Sequence, residues 1–246
     1  MSDQPILIIP ARLAAARLPD KPMLDIHGEP MIVHVWRRAI AAGVGPVVVA
    51  CGDRPIMDAI TAVGGRAVLT DPDLPSGSDR VAAALAMVDP DRRHGIVVNI
   101  QGDLPMLDPE LPGRLAALTR RPGVDMATFA LPIDDPVEEM AESIVKVVFE
   151  PNPDDPRSGR ALYFSRLPIP WGPGRRYHHI GLYGFRRAAL ERFVALPAAA
   201  IERRERLEQL RALAAGMHIE VGLIDSPVFG VDTAEDLAAA RRRLAP

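Results

Sequence analysis

Three cations, Arg12, Arg17 and Lys21, stand within ten residues near the start of the chain, with no acid between Arg12 and Asp20. Small residues such as Ala11 and Ala14 lie among them and let a ligand come close to the backbone. This stretch, PARLAAARLPDKP (residues 10–22), directly follows a short apolar run, ILII (residues 6–9). A loop at the carboxyl end of a buried strand, with available backbone N–H groups and fixed cations, suits a chain of phosphates. It is not a Walker loop, because the G-x-x-x-x-G-K-[ST] spacing is absent. The competing interpretation is a solvated charged face, the usual fate of a charge run.

Two acidic positions could complement that loop. Asp103 follows the apolar run IVVNI in Gln101-Gly102-Asp103 and is a candidate Mg²⁺ ligand, since Mg²⁺ takes carboxylate, water and phosphate oxygens. A turn or helix-capping aspartate is the plainer alternative. Asp232 lies in GVDTAED, where Asp232 or Thr233 could equally cap the last helix. Spacing alone does not bring Asp232 to Asp103.

A further polar group lies in the second half: Arg166, His178, His179, Tyr183, Glu208 and Gln209. Alternation along residues 180–185 predicts a strand, and i, i+4 spacing puts His179 and Tyr183 on one face of it. Glu208 and Gln209 fall in ERRERLEQLR, which by itself is a solvated, salt-bridged helix surface. His178-His179 lacks a third ligand at metal spacing, so no zinc site is expected.

The elements that must position these residues alternate. Strands are expected at residues 6–9, 47–50, 66–69 and 96–100, and helices at 31–42, 55–63 and 79–87. Such alternation defines an α/β fold with a parallel sheet and helices on both faces. Ligands of these sheets sit beyond the carboxyl ends of the strands. The loop after Ile9, the Cys51-Gly52-Asp53 turn and Gln101 to Asp103 all fall there. The second half is less regular, with strands expected at 126–133, 144–149, 180–185 and 219–224. Helices are expected at 189–196, 202–215 and 235–244, and a turn-rich loop at 150–160. We expect a single domain over residues 1–246, roughly 1–125 and 126–246 forming its two halves.

The 246 residues are 48% hydrophobic and 25% charged, with net charge -3, which argues against a partner held by neutralising many nucleic-acid phosphates. Cys51 is the only cysteine, so disulfides within the chain and Cys-based zinc sites are excluded. No apolar run reaches the ~18–20 residues of a membrane span. The N-terminus lacks a secretory pattern, so a cytoplasmic protein without membrane insertion is expected.

Taken in order, IIPAR, RLPDKP, GEPMIVHV, SGSDR, NIQGDLPM, VKVV, ALYFSRLPIPW, HHIGLYGFR, LEQLR and GVDTAEDL cover residues 8–237. In these motifs the chain resembles the 3-deoxy-manno-octulosonate (KDO) cytidylyltransferases. The resemblance implies a Rossmann-like nucleotidyltransferase sheet with a smaller antiparallel sugar-binding and dimerisation part. It implies CTP and KDO as substrates, CMP-KDO and pyrophosphate as products for lipopolysaccharide, Mg²⁺ as cofactor, and a homodimer. It assigns Pro10, Ala11, Arg12, Arg17, Lys21, Arg80 and Gln101 to the nucleotide, and Asp103 and Asp232 to Mg²⁺. Gln101, Arg166, His179, Tyr183, Glu208 and Gln209 would surround the acidic sugar. Arg12, Lys21, Asp103 and Asp232 would carry the catalysis. The chain departs from the family at Leu104, where a glutamate is usual, and at Cys51-Gly52-Asp53, which leaves the role of Asp53 open. Another acidic sugar, an 8-amino KDO or a sialic acid, is the alternative substrate. A non-catalytic nucleotide-sugar sensor is the alternative outside catalysis.

Overall fold

The computed structural model describes residues 4–14 and 18–245. Two compact units make up the chain, one running up to Arg114 and resuming at Val228, the other spanning Leu115–Pro227. The division therefore falls earlier than residue 125, and the C-terminal stretch sorts with the first half.

In the first unit, ILIIPA forms β1 (Ile6–Ala11), buried along its whole length. A two-residue hairpin, β2 (Asp25–Ile26) and β3 (Glu29–Pro30), precedes α1 (Met31–Ala41). Then come β4 (Val47–Cys51), α2 (Arg54–Ala62), β5 (Arg66–Leu69), α3 (Gly77–Val88) and β6 (Ile96–Asn99). The strands lie parallel in the order β5-β4-β1-β6. Helices α1 and α2 pack together, and α3 lies against β1. Because the β5-to-β6 connection reverses the direction of travel, right-handed crossover puts α3 on the opposite face. The strand order turns back between β1 and β6, and this is where a crevice opens in such sheets.

The strand expected to stop at Pro10 continues to Ala11, with Pro10 in register with Ala50. Pairing to β6 ends at Ile8 and Asn99, so no ladder bond on that side needs the N–H that proline lacks.

The division lies within α4 (Glu110–Arg120), whose Pro112 sits in the first turn, where no intrahelical N–H bond is lost. The second unit holds β7 (Met126–Ile133), α5 (Pro136–Met140), β8 (Lys146–Asn152), β9 (Asp155–Ser165) and β10 (Arg176–Arg186). Helices α6 (Arg187–Ala195), α7 (Ala200–Glu205) and α8 (Leu210–Ala214) lead into β11 (Ile219–Leu223). The sheet order is β10-β7-β11-β9-β8, antiparallel except for β7 with β11, and β8 also pairs back to β10 at His178 and Lys146. Finally α9 (Ala234–Arg243) belongs to the first unit.

Two expectations fail in the second unit. Residues 150–160 are a β-hairpin rather than a loop. A register shift at Pro151 and Asn152 absorbs the proline, and Gly159 packs where an added Cβ would stand 2.1 Å from the Glu150 carbonyl oxygen. The glycine that suggested a loop is what lets the strands meet. Residues 202–215 are two short helices, broken where Arg206 adopts φ 57°. That break turns Leu207 and Gln209 inward and buries them. Glu202 and Arg211 pair across it at 2.6 Å, so the charged run is solvated only in part, at Arg203, Arg204 and Arg206. Among the described residues no helix is long and apolar enough to cross a membrane.

Candidate active site

A cavity of about 410 Å³ opens in the first unit, bounded by Pro10, Ala11 and Arg12 at the end of β1 and by Gln101 to Asp103 after β6. Lys21, Ser76, Gly77, Arg80 and Asp232 complete its polar wall. Eight of the residues assigned from sequence thus meet in one place: Pro10, Ala11, Arg12, Lys21, Arg80, Gln101, Asp103 and Asp232. Arg17 lies outside the described residues.

The loop after β1 is shaped by its neighbours. The Leu13 backbone N–H donates to Asp53 Oδ2 at 2.7 Å, and the Gly52 N–H donates to the Ala11 carbonyl at 2.8 Å. Gly52 leaves room for two guanidinium-bearing side chains, since a Cβ there would lie 3.0 Å from Arg80 Nη1 and 3.1 Å from Arg12 Cβ. Gly102 is required for the same reason: a Cβ would stand 2.8 Å from the Pro10 carbonyl oxygen.

Arg80 is only 2% exposed and is fixed by Thr70 Oγ1 at 2.5 Å, the Asp71 carbonyl at 3.0 Å and the Pro72 carbonyl at 3.1 Å. Burial, and then repulsion from Arg12, lower its pKa from the ordinary arginine value. An anion entering here would relieve that repulsion. Arg80 rides on α3, capped by Ser76, whose Oγ accepts from the Asp79 N–H at 3.2 Å. The helix N-terminus therefore faces the cavity and favours negative charge.

Asp232 reaches the site by packing. Val231, fully buried, joins Ile26, Met31, Leu237 and Ala240 in a small core. Burying one such valine contributes about 2 kcal/mol. The Val231 N–H also donates to the Asp103 carbonyl at 2.9 Å, tying the two acidic loops together. The cap of α9 is made by Thr233 and Asp236 in a reciprocal box. The Asp232 carboxylate instead faces Lys21, whose Nζ donates to Asp103 Oδ2 at 2.7 Å and Asp232 Oδ1 at 3.0 Å. Burial works against the ammonium, yet attraction to Asp103 and then Asp232 outweighs it and raises the Lys21 pKa.

The second-unit residues form a separate group with different character. His179 is 6% exposed, with Nε2 3.0 Å from Thr128 Oγ1 and Nδ1 3.4 Å from Gln209 Nε2. Thr128 Oγ1 already has its proton directed to the Ile180 and Leu182 carbonyls, both at 2.9 Å. It must therefore accept from Nε2–H, which fixes the neutral tautomer and leaves Nδ1 to accept from Gln209. Burial, then His178, push the His179 pKa down to about 3. Tyr183 lies with its ring centroid 5.7 Å from His179, and burial with the nearby Glu208 charge raises its pKa. Arg166 donates to the Glu205 carbonyl at 3.1 Å and the Glu142 carbonyl at 3.0 Å. Its own N–H donates to the Glu205 carboxylate at 3.1 Å.

Two contributions were not assigned from the sequence. Asp53, placed at a strand end but given no role, holds the loop after β1, and no local pattern reveals a bond to a residue 40 positions away. The N-terminus of α3 lines the cavity, and here the S-x-x-D spacing of SGSD was an available signal.

A cation-bearing loop, a buried arginine and a carboxylate pair at the switch point of a parallel sheet have the layout of a nucleotidyltransferase. The sequence model of the family described as "Cytidylyltransferase" matches residues 6–219. A 3-deoxy-manno-octulosonate cytidylyltransferase of Rhodospirillum centenum is 60% identical, the match covering 98% of this chain and 94% of the relative. One of Methylobacterium nodulans is 56% identical over 100% and 98% of the two chains. A solved structure described as CMP:2-keto-3-deoxy-manno-octonic acid synthetase complexed with CTP superposes with TM-score 0.89 at 38% identity, covering 98% of both chains. The chain belongs to the 3-deoxy-manno-octulosonate cytidylyltransferase family.

Proposed function

We propose that this protein joins the cytidylyl group of CTP to KDO, releasing pyrophosphate, and so supplies CMP-KDO for lipopolysaccharide. The observation that carries this reading is the carboxylate pair Asp103 and Asp232, converging on one cation beside a phosphate-shaped loop. In the reaction the anomeric hydroxyl of the sugar attacks the α-phosphorus. The bond from that phosphorus to the bridging oxygen of pyrophosphate breaks, and the hydroxyl proton passes to solvent. Such a transfer depends on positioning and charge neutralisation.

The chain's own groups supply both. Amides of the loop after β1 and the N-terminus of α3 orient the phosphates, while Arg12, Arg80 and Lys21 offset charge on the leaving pyrophosphate. Gly102 and Gly52 keep the backbone close enough for this. Asp103 and Asp232 suit a hard divalent cation, since both already face one ammonium at 2.7 Å and 3.0 Å. They would hold Mg²⁺, which when bound supplies Lewis acidity and further neutralisation.

Arg166 is assigned to the sugar carboxylate, which must be paired if buried. Gln101, Glu208 and Gln209 are assigned to its hydroxyls. His179 and Tyr183 serve that group by position: a histidine with pKa near 3 does not take protons at neutral pH. A homodimer is part of this reading, following the family.

A substrate panel tests the proposal through pyrophosphate release. CTP with KDO should give turnover, while UTP or ATP should give little. Release with a sialic acid or an 8-amino KDO but not with KDO would reassign the sugar. No release with any of them would leave a nucleotide-sugar sensor.

A further inference from the structure

Lys21 is the point at which three separate segments of the first unit meet. Its position is fixed by the short 3-10 turn Lys21–Met23, with Pro22 buried and the Met23 N–H donating to the Asp20 carbonyl at 2.8 Å. Asp103 comes from the loop after β6 and Asp232 from the loop before α9. A backbone bond from Val231 to the Asp103 carbonyl holds those loops together at 2.9 Å. Lys21 Nζ lies between their carboxylates, with side-chain exposures of 17% for Lys21, 29% for Asp103 and 44% for Asp232.

Two carboxylates this close would repel each other without a cation between them. The ammonium therefore neutralises the same oxygens that a divalent ion needs. A divalent ion on these carboxylates would stand within a few ångströms of the ammonium and be repelled by it, which weakens its binding while Lys21 stays in place. The lysine stem is long and flexible, and the cavity beside it is lined by Arg12, Ser76 and Arg80. A polyphosphate there offers the ammonium a new partner.

We infer that Lys21 is a built-in counter-cation, which holds Asp103 and Asp232 together until a nucleotide draws it onto the phosphates. The divalent cation is thus admitted with the nucleotide and not before it. The inference rests on the proposed nucleotidyl transfer, and it adds an order of loading to that reading.

Metal binding tests it without turnover. Mn²⁺ is titrated into the full chain without nucleotide, and free Mn²⁺ is read by electron paramagnetic resonance. Wild type should bind weakly, and Lys21→Met should bind about tenfold more tightly, the scale of one charge-assisted pair at a partly exposed site. Lys21→Arg, which keeps the charge, should behave as wild type. Should Lys21→Met fail to fold, Lys21→Gln keeps hydrogen-bond donors without the charge and gives the same comparison. In parallel, CTP binding to wild type is measured by calorimetry with and without Mg²⁺, in the absence of sugar. Equal Mn²⁺ affinity in wild type and the neutral variants, with Mg²⁺ still strengthening CTP binding, would overturn the counter-cation and leave the transfer reading standing. No effect of Mg²⁺ on CTP binding would remove the metal pair itself, and the inference with it.

Discussion

The two units of this chain use polar residues in opposite ways. In the first, charges gather at a cavity, mostly at loop ends: Lys21 pairs with Asp103 and Asp232, and Arg80, on α3, is held by three oxygens of residues 70–72. In the second, His179, Thr128 and Gln209 are neutral and buried, with Thr128 on β7 and Gln209 at the start of α8 both bonded to His179 on β10. The loop-end group is built to change partners when a polyanion arrives. The sheet group is built to hold one arrangement, with its tautomer fixed by Thr128. A protein that must neutralise a triphosphate and shape a sugar needs both kinds of site.

The comparison breaks first at Asp103. Asp103→Asn keeps the size of the side chain and removes the charge. Turnover should fall by at least ~10²-fold, the usual scale for losing a principal electrostatic stabiliser. Near wild-type kcat would mean that the first unit's charges do not act on the reaction. Arg166→Ala is next. It should raise KM for KDO by about 30-fold, as for a lost charge-assisted bond, while CTP affinity stays within about twofold. Equal losses for both ligands in calorimetric titration would reject the division of labour.

The sequence carried the first unit further than the second. Its parallel strands are short and largely apolar, so β1, β4, β5 and β6 and the helices between them are legible within a residue or two. The cluster at their carboxyl ends followed from that alternation. Asp232 did not, because it arrives through the packing of Val231 against Ile26 and Met31, 200 or more positions away in sequence. In the second unit, Pro151 and Gly159 suggested a loop where a bulge and a close strand approach exist. The break at Arg206 was hidden inside a helical charge pattern, although it is what points Gln209 at His179. Motif likeness named those sugar-side residues, but neither spacing nor charge explained their burial.

The neutral group should also show in stability against pH. His179 ionises near 6.5 when unfolded and near 3 in the folded chain. Its contribution is therefore complete above the unfolded value and is lost as pH falls from about 6.5 toward 3. Between about pH 7.5 and about pH 5 the loss should be about 2 kcal/mol. Burial, then Lys146, shift His178 in the same direction. Urea unfolding at both pH values, for wild type and His179→Gln, measures the contribution. The variant should be less stable at the higher pH and lose less on acidification. Parallel losses in the two proteins would mean that His179 does not carry the acid sensitivity of the second unit.

The smallest effect sharpens the first unit's side of the comparison. Asp53 lies just beyond β4 and accepts from the Leu13 N–H of the loop after β1 at 2.7 Å. It also lies near Arg80, whose pKa its charge raises. If Asp53 acts by shaping the loop, removing the acceptor should matter and removing the charge alone should not. Asp53→Ala should weaken CTP binding about fivefold, the scale of one hydrogen bond, with kcat little changed. Asp53→Asn retains a side-chain oxygen for Leu13 and should recover to within about twofold of wild type. If Asn proves as damaging as Ala, the charge opposite Arg12 and Arg80 is what matters, and the loop would then be held by electrostatic balance.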